Sequence, residues 1–520
     1  QPQGLPMLED FETLDTLPSC WSRWENFDAV VWKAHVVGTP TYRGEGALMI
    51  SCGADATPSH QTIVMMPQLA LSPSGTRLRM MLSANQAGAR IVAGVCSSTG
   101  HMFNYYNFEP VDTLTIGTAN TWAQYEVDYA SYSGSGDRMA LRMIESMQGG
   151  AVGRMIYVDE MAVERCAVDD LRVSHRSDDE LTLHWVQTGG GTANLKIVAD
   201  GGGERTVQGV SSPYRITGLE AGTAYTLTLT PQCGGETQPG IAQSVNASTL
   251  PGPRRGLVYC EGFEQTLLPE KWIATGASVS TVRFREGRRS LLLNGSARAV
   301  LPRIAQADGT VVPLGDLMLS LWVYGASGAM VEVGATNYPE EDERTAIDTV
   351  EVAAAQQWML ATRRLAQYAG TEKYIVLRAL NSAVNVDRLR VGRCLIDGVA
   401  LVDFNTTTAT IEWDAPQAGG NVAIVPVAGG GSRITVSPGD CTAAGGKRRY
   451  TLTGLEPGST HTYAVYGACE EEECAPTVTF TTYAQEYALP YCTDFEQSGT
   501  LPTDWSESWR RTSPCAWNPS

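Results

Sequence analysis

The amino-acid sequence predicts an all-β protein built from several β-sandwich modules, and three observations support this prediction. Hydrophobic residues make up 43% of the chain, charged residues only 18%, and 53 glycines and 26 prolines separate short apolar runs. This composition is typical of strands joined by turns. A second observation is a motif that occurs three times, and a third is a cysteine and a tryptophan that recur at one interval. The 520-residue length implies roughly three to five domains.

The repeated motif joins a phenylalanine–glutamate pair to a Leu-Pro pair and then a tryptophan. It begins at Phe11-Glu12, at Phe263-Glu264 and at Phe495-Glu496. Repetition of one pattern at wide spacing indicates repeated structural units. We therefore expect three starts of one kind of large module.

The large module is predicted to be a jelly roll, because about ten short β-like segments follow one another in residues 1–166 without helical periodicity. The third motif is followed by too few residues, 490–520, to form such a core. We therefore expect the protein to continue beyond Ser520. The predicted boundaries are 1–166 for the first jelly roll, 167–250 for a smaller module, 251–255 for a linker, 256–394 for a second jelly roll, 395–483 for a second smaller module, and 490–520 for the start of a third jelly roll.

The two smaller modules resemble fibronectin type III domains. The first has Trp185 on an early strand and Tyr225 after a Gly-Leu turn. In the fibronectin type III family the tryptophan fills the core and the tyrosine closes a corner by bonding to nearby backbone. The second has Trp413 in the same place, but His461 replaces the corner tyrosine. The sequence therefore predicts the same fold with an altered corner.

The charge of the chain limits the partners that it can have. The net charge is −18 and the isoelectric point is near 4.9. Nucleic acid and anionic membrane surfaces would repel such a chain, whereas cations would be attracted. The sequence contains no apolar run near the length that spans a bilayer, and Gln1 opens it without a basic and apolar leader. We expect a monomeric rod without a transmembrane segment.

Twelve cysteines occur without a Cys-x-x-Cys pattern, which favours disulfides in a secreted or cell-surface protein; reduced, buried thiols are the alternative. The interval between Cys166 and Cys394 is the same as that between the two module tryptophans. These repeated positions favour disulfides from Cys166 to Cys233 and from Cys394 to Cys469. A competing scheme bridges the linkers, joining Cys233 to Cys260 and Cys469 to Cys492.

Paired carboxylates are the candidate metal ligands. The first jelly roll has Glu12 on its first strand and Asp159 on its last, and the second has Glu264 and Asp387; the third motif offers Glu496. The first and last strands of a jelly roll usually lie side by side, so each pair could meet at one rim. Carboxylate oxygens are ligands that Ca²⁺ prefers. The sequence predicts a structural calcium, and the alternative is that these side chains only solvate strand ends.

An aromatic run in residues 101–108 contains Tyr105 and Tyr106. Aromatic rings stack on sugars and asparagines bond their hydroxyls, so these tyrosines are candidate glycan-binding residues. Core packing explains the same run and is the favoured alternative.

Catalytic motifs are absent from the sequence, including His-Glu-x-x-His, Gly-x-Ser-x-Gly and a phosphate-binding glycine loop. We therefore expect a non-catalytic protein. A carboxylate pair for glycoside hydrolysis needs only a suitable separation, and this possibility stays open.

Taken together, Phe-Glu-initiated jelly rolls that alternate with fibronectin type III modules resemble the cleaved-adhesin and MAM-like arrays of large secreted bacterial surface proteins. The haemagglutinin regions attached to gingipain-type proteases are members of this group. The resemblance implies cell adhesion through binding of extracellular protein or glycan by a non-catalytic array, with a structural calcium in the jelly roll. The alternatives are an accessory binding region, or a spacer, of a larger secreted peptidase or glycoside hydrolase.

Overall fold

A computed structural model describes residues 2–25, 32–52, 61–97, 107–143, 154–233, 239–414, 420–427, 431–469 and 474–484. The chain forms two compact units, residues 1–250 and 251–520. Each unit contains one larger and one smaller antiparallel β-sandwich. The predicted all-β fold class, jelly rolls alternating with fibronectin type III sandwiches, is therefore confirmed, and the predicted third jelly roll at 490–520 lies outside the described residues. None of the helices in these ranges is long and apolar enough to cross a membrane.

The first jelly roll consists of two sheets that enclose one hydrophobic core. Its strands are Met7–Glu9 (β1), Ser22–Glu25 (β2), Trp32–Val37 (β3), Ala47–Cys52 (β4), Thr62–Met65 (β5), Arg77–Ala84 (β6), Ala89–Cys96 (β7), Glu109–Ile116 (β8), Ala123–Asp128 (β9), Arg138–Met143 (β10) and Arg154–Glu164 (β11). One sheet has the order β3-β4-β11-β6-β9, with β1 also paired to β11, and the other has the order β2-β5-β10-β7-β8. First and last strands are thus neighbours, as the sequence predicts.

The repeated motif begins the core of each jelly roll. Phe11 is fully buried and its ring meets Trp21 edge-on, with ring centroids 5.4 Å apart. Phe263 and Trp272 have the same edge-on contact at 5.4 Å. Both phenylalanines have a φ of 57°, a left-handed backbone that few non-glycine residues adopt. The motif therefore specifies a local structure that the two modules share.

The first smaller sandwich packs its core between three-stranded and four-stranded sheets. Its strands are Ala167–Arg176 (β12), Glu180–Thr188 (β13), Thr192–Ala199 (β14), Glu204–Val210 (β15), Tyr214–Thr217 (β16), Ala224–Gln232 (β17) and Gln243–Ser248 (β18). The sheets have the orders β12-β13-β16 and β15-β14-β17-β18. Trp185 is buried in this core, and the Tyr225 hydroxyl accepts a hydrogen bond from the Glu220 N–H at 2.7 Å. The corner hydrogen bond expected of Tyr225 is present.

The second jelly roll contains one long strand whose two ends belong to different sheets. Its strands are Arg254–Arg255 (β19), Tyr259–Glu261 (β20), Ile273–Ser280 (β21), Ser290–Val300 (β22), Ile304–Ala305 (β23), Met318–Gly325 (β24), Met330–Thr336 (β25), Thr345–Glu351 (β26), Met359–Arg364 (β27), Tyr374–Ala379 (β28) and Val384–Gly392 (β29), and Leu314–Asp316 form a 3-10 helix. Residues 291–293 of β22 pair with β29, and residues 298–300 pair with β28. The long strand therefore links the order β26-β25-β28 to the order β29-β24-β27.

The second smaller sandwich has two four-stranded sheets around Trp413, which is fully buried. Its strands are Ala400–Phe404 (β30), Thr408–Asp414 (β31), Val422–Pro426 (β32), Ile434–Val436 (β33), Thr442–Ala444 (β34), Lys447–Thr453 (β35), Thr460–Gly467 (β36) and Thr477–Thr481 (β37), and Pro438–Asp440 form a 3-10 helix. The sheet orders are β30-β31-β35-β34 and β33-β32-β36-β37. At the corner, the His461 Nε2 atom lies 3.4 Å from the Glu456 carbonyl oxygen. The His461 ring thus contacts a backbone carbonyl oxygen, whereas the Tyr225 hydroxyl of the first smaller sandwich accepts a backbone N–H.

Replacing Tyr225 with phenylalanine is expected to destabilise the first fibronectin type III sandwich by about 1–2 kcal/mol, because a partly buried N–H loses its acceptor. Differential scanning calorimetry of the full chain measures this loss. His461→Phe is the matched variant, and its effect should be smaller because the 3.4 Å contact to Glu456 is long for a hydrogen bond. Equal effects of the two variants would contradict the role of the Tyr225 hydroxyl.

Three disulfides occur in the described part of the chain. Cys166 is bonded to Cys233 and Cys394 to Cys469, the two pairs that the sequence favours. The third joins Cys260 in β20 to Cys474. The competing scheme is wrong for Cys233, Cys260 and Cys469, because each has a different partner; Cys492 lies outside the described residues.

Candidate functional site

Asp159 lies on β11 at an irregularity in its pairing with β6, and its side chain is fully buried. One carboxylate oxygen accepts hydrogen bonds from the backbone N–H groups of Tyr42, at 2.8 Å, and Arg43, at 3.1 Å. The other accepts the N–H of Glu160 at 2.7 Å. Glu160 has a φ of 47°, which turns its N–H back to the preceding side chain. Asp159 therefore holds a loop that is remote from it in the sequence.

Glu12 holds the same loop from the other side. Its Oε2 atom accepts the N–H of Glu45 at 2.7 Å. Gly44 has a φ of 66°, and a Cβ atom at this position would overlap the Glu12 carboxylate. The loop thus needs glycine both for its backbone and for close approach. We call Glu12 and Asp159 the carboxylate clamp of the first jelly roll, and residues 41–46 its clamped loop.

The second jelly roll has the same clamp. Asp387 of β29 is fully buried, and one of its oxygens accepts the N–H groups of Arg285, at 2.6 Å, and Glu286, at 3.1 Å. Its other oxygen accepts the N–H of Arg388 at 2.7 Å. Arg388 has the φ of 47° seen at the corresponding position of the first jelly roll. Asp387 and Asp159 therefore have equivalent roles.

Glu264 completes this second clamp. Its carboxylate oxygens accept the N–H of Arg288, at 2.9 and 3.1 Å, and one also accepts the N–H of Arg289 at 3.2 Å. Gly287 has a φ of 66°, and a Cβ there would overlap the Glu264 carboxylate. Residues 281–289 are the clamped loop of this module. The prediction that the glutamates lie on the first strand of each module is wrong, because β1 ends at Glu9 and β20 ends at Glu261. Each glutamate nevertheless lies at the same rim as its aspartate, and both bind backbone N–H groups there.

Burial and like charge both act on the aspartates of the clamps. The pKa of Asp159 is raised mainly because burial disfavours the charged form, and the Glu12 carboxylate raises it further. The pKa of Asp387 is raised by burial and by Glu264 in the same way. In each case the three N–H donors lower the pKa but do not cancel the increase. Each rim therefore concentrates negative charge that a cation would offset.

An ion pair beside each clamp has opposite polarity in the two modules. In the first, Arg43 of the clamped loop faces Glu160 of the last strand at 3.8 Å. In the second, Glu286 of the loop faces Arg388 of the last strand at 2.6 Å. The positions correspond, because each loop residue donates its N–H to the clamp aspartate. The contact between loop and strand is thus retained with its charges exchanged.

A cleft of about 350 Å³ borders the second clamp. It lies within the unit formed by residues 251–520, beside the Cys260–Cys474 disulfide. Its charged lining residues are Glu261, Glu264, Glu286, Asp387, Arg388 and Arg390. Both signs of charge are represented in its lining.

Aromatic side chains lie on the sheet next to the second clamped loop. Trp322 and Tyr324 alternate with buried residues of β24 and are half-buried. The Arg285 guanidinium lies over the Trp322 ring, 4.5 Å from its centre, and the Arg283 guanidinium lies 5.7 Å from the centre of Tyr324. Tyr324 also contacts Trp358, with centroids 5.4 Å apart. We call these five side chains the arginine–aromatic surface.

The first jelly roll has a related but uncharged arrangement. Trp122 immediately precedes β9, as Trp358 precedes β27, and these two strands pair with β6 and β24 respectively. Trp122 is contacted by Tyr42 of the clamped loop, with centroids 6.1 Å apart. Tyr42 is the counterpart of Arg285, since each donates its N–H to the clamp aspartate, and it is 46% exposed. Both clamps thus place an exposed side chain of different chemistry near a tryptophan-bearing sheet.

Some predicted site residues lie outside the described part of the chain, namely Tyr105, Tyr106 and Glu496. Phe108, at the end of the same aromatic run, is buried, with the Arg142 guanidinium 4.2 Å from its ring centre. Within the described ranges, no group of three or more His, Cys, Asp or Glu side chains is placed to hold a metal ion. Calcium at the clamps stays a prediction.

The arginines of the second clamped loop were not identified from the sequence. The signal is nevertheless present in Arg283-Phe284-Arg285-Glu286-Gly287-Arg288-Arg289, which is strongly basic within a chain of net charge −18. Clusters of basic residues of this length indicate polyanion binding. The two clamped loops differ in their number of arginines, because residues 41–46 contain one arginine and one glutamate, whereas residues 281–289 contain four arginines and one glutamate.

Comparisons with known proteins give similarity to several solved β-sandwich structures. No family model and no curated protein matches the chain. A cleaved adhesin domain of Lys-gingipain from Porphyromonas gingivalis is 20% identical over 31% of this chain and 98% of its own, with a TM-score of 0.24. A tandem of CBM22 domains from Paenibacillus barcinonensis is 10% identical over 76% and 98%, with a TM-score of 0.22. A two-domain fibronectin type III segment of chicken tenascin is 14% identical over 61% and 99%, with a TM-score of 0.16.

Proposed function

We propose that this chain is a non-catalytic, extracellular binding protein that attaches to protein or glycan through the clamped loops of its jelly rolls. One observation supports this proposal above the others. The same Glu–Asp clamp occurs in both jelly rolls, yet Tyr42 in one loop is replaced by Arg285 in the other. Disulfides such as Cys166–Cys233 support an oxidising, extracellular location.

The clamps favour binding because they hold each loop in one conformation before a ligand arrives. A loop that is already ordered loses less conformational entropy when it binds. The paired carboxylates, which could otherwise suggest glycoside hydrolysis, accept backbone N–H groups in both modules. This structural use of the carboxylates supports a non-catalytic role.

An array of glycans and matrix proteins, probed with the 520-residue chain, tests the proposal. We expect specific binding to at least one class of ligand, and weaker binding when a side chain displayed by a clamped loop, Tyr42 or Arg285, is replaced by serine. Val186→Ser is a suitable control, because Val186 is 54% exposed on the first fibronectin type III sandwich. Binding to none of the ligands would contradict the proposal and favour a spacer role.

We further propose that Ca²⁺ binds at each clamp and holds the first and last strands together. Glu12 with Asp159, and Glu264 with Asp387, would supply carboxylate oxygens, which are the donors that Ca²⁺ takes. The ion would supply positive charge at a rim where two carboxylates repel each other. Its role would be to stabilise the loops.

Calcium is expected to raise the thermal unfolding temperature of the chain, with a stabilisation of about 2.7 kcal/mol at a concentration 100 times the Kd. Ca²⁺ needs the ionised carboxylates, and the pKa values of Asp159 and Asp387 are raised. As the pH is lowered, the stabilisation by Ca²⁺ should therefore be lost at a higher pH than it would be if both aspartates had ordinary pKa values. Calorimetry with Ca²⁺, Mg²⁺ or chelator across pH measures this, and Asp159→Asn/Asp387→Asn is the matched variant. Equal unfolding temperatures with Ca²⁺ and chelator would exclude the site.

A further inference from the structure

The second clamped loop carries a concentration of positive charge that is unusual for this protein. Residues 281–289 contain four arginines and one glutamate, within a chain of net charge −18. The glutamate, Glu286, is already paired with Arg388 at 2.6 Å. Residues 281–288 are all exposed. The loop therefore presents a basic surface on an acidic protein.

Arg283 and Arg285 are positioned by aromatic rings and not by acids. Their guanidinium groups lie over Tyr324 and Trp322, and neither forms an ion pair with a carboxylate of the described residues. Tyr324 and Trp322 are two residues apart on one face of β24, which separates the rings by roughly 7 Å. Stacking on a ring restricts an arginine and leaves N–H groups at its edge able to bind an anion. In Arg283 one of these groups also donates to the Val282 carbonyl oxygen at 3.2 Å, which orients the guanidinium further.

The clamp fixes this arrangement through the backbone. Asp387 accepts the N–H of Arg285 at 2.6 Å, and Glu264 accepts the N–H groups of Arg288 and Arg289. The side chains of these arginines are therefore displayed from a backbone that carboxylates hold. Substituting a side chain leaves the backbone bonds in place, so binding and folding can be tested separately.

We propose, on the basis of the binding function proposed above, that the arginine–aromatic surface binds an acidic glycan through its carboxylate or sulfate groups. Two stacked guanidinium groups match successive anionic groups of such a chain. The half-buried Tyr324 and Trp358 rings beside them provide apolar surface of the kind that packs against sugar rings. The counterpart surface of the first jelly roll has Tyr42 at the position of Arg285, so the acidic glycan is bound by the second jelly roll.

Exposed apolar residues of the same loop distinguish a glycan from a protein partner. Val282 is 71% exposed and Phe284 is 44% exposed, and they alternate with Arg283 and Arg285. A protein partner would bury such residues together with the arginines, because aromatic and arginine side chains dominate protein interfaces. An acidic glycan needs the arginines and the neighbouring rings of the sheet, but not the exposed apolar side chains of the loop. Phe284→Ser is therefore the variant that separates the two.

The test measures binding of the 520-residue chain to immobilised heparin, polygalacturonate, neutral dextran and poly-L-glutamate at several salt concentrations. We expect binding to heparin or polygalacturonate, none to dextran, and weaker binding with rising salt. Arg283→Gln/Arg285→Gln should weaken binding by about 10–100-fold, with an unchanged circular dichroism spectrum. Phe284→Ser and Arg205→Gln, an exposed arginine of the first fibronectin type III sandwich, should bind as the parent chain does.

Several results would overturn this inference. They are equal binding of the double arginine variant, loss of binding with Phe284→Ser, and tighter binding to poly-L-glutamate than to either acidic polysaccharide, which would indicate an acidic protein. If the chain binds only neutral glycans or matrix proteins, the inference is wrong and the proposed binding function stands. If the chain binds none of these polymers and no ligand of the glycan and matrix-protein array, both this inference and the proposed binding function are wrong.

Discussion

Replacing Asp387 with alanine is expected to lower the free energy of unfolding of the second jelly roll by about 3–5 kcal/mol. The side chain is fully buried and accepts three backbone N–H groups, from Arg285, Glu286 and Arg388. A partly buried N–H that loses its acceptor costs about 1–3 kcal/mol, and part of this cost is recovered if the loop opens to water. Differential scanning calorimetry of the full chain measures the loss.

Two variants give this prediction its controls. Asp403→Ala removes an exposed carboxylate of the same unit that accepts one N–H, from Phe404, and should cost less than about 1 kcal/mol. Asp159→Ala removes the equivalent clamp residue of the first unit and should shift that unit's transition instead. A loss no larger for Asp387→Ala than for Asp403→Ala would show that the clamp is unimportant for stability.

Removing the Cys260–Cys474 disulfide by a double serine substitution is expected to destabilise the second unit by about 3–5 kcal/mol. The bond closes a chain segment of 214 residues, and long closed loops restrict the unfolded chain most. It also joins β20 of the second jelly roll to the segment after β36 of the neighbouring sandwich. We therefore expect these two sandwiches to unfold in separate calorimetric transitions once the bond is gone.

The control for this experiment is Cys441→Ser, because Cys441 is a free, half-buried cysteine of the same unit. This substitution should change the free energy of unfolding by less than about 0.5 kcal/mol. A single transition that persists at the parent temperature in the double variant would mean that packing alone joins the two sandwiches.

Much of the architecture could be predicted from the sequence because it depends on local patterns that repeat. Phe11 and Trp21 have the same spacing as their later counterparts to within a residue, and the structure gives both pairs one geometry. Trp185 and Tyr225 identified the fibronectin type III core and its corner. The pairing of β1 with β11 brings Glu12 and Asp159 to one rim, although Glu12 follows β1 and does not lie on it as predicted.

What the sequence did not predict depends on contacts between segments far apart in the chain. Asp387 binds N–H groups about a hundred residues earlier, and backbone donors leave no trace in residue type. The Arg285–Trp322 stack requires the register of β24 against β29. Cys260 could be assigned to Cys233 as readily as to Cys474, since spacing alone does not show which modules pack together.

The carboxylate clamps also separate the shape of each loop from its amino-acid sequence. The loop conformation is set by two acids that lie outside it and by internal glycines, Gly44 and Gly46 in the first loop and Gly287 in the second, while most of the remaining side chains are exposed. Mutations at those outward positions can therefore change what the surface recognises without a folding penalty. The Tyr42 and Arg285 loops would then be two variants on one frame, and such a frame can be used to graft new specificities.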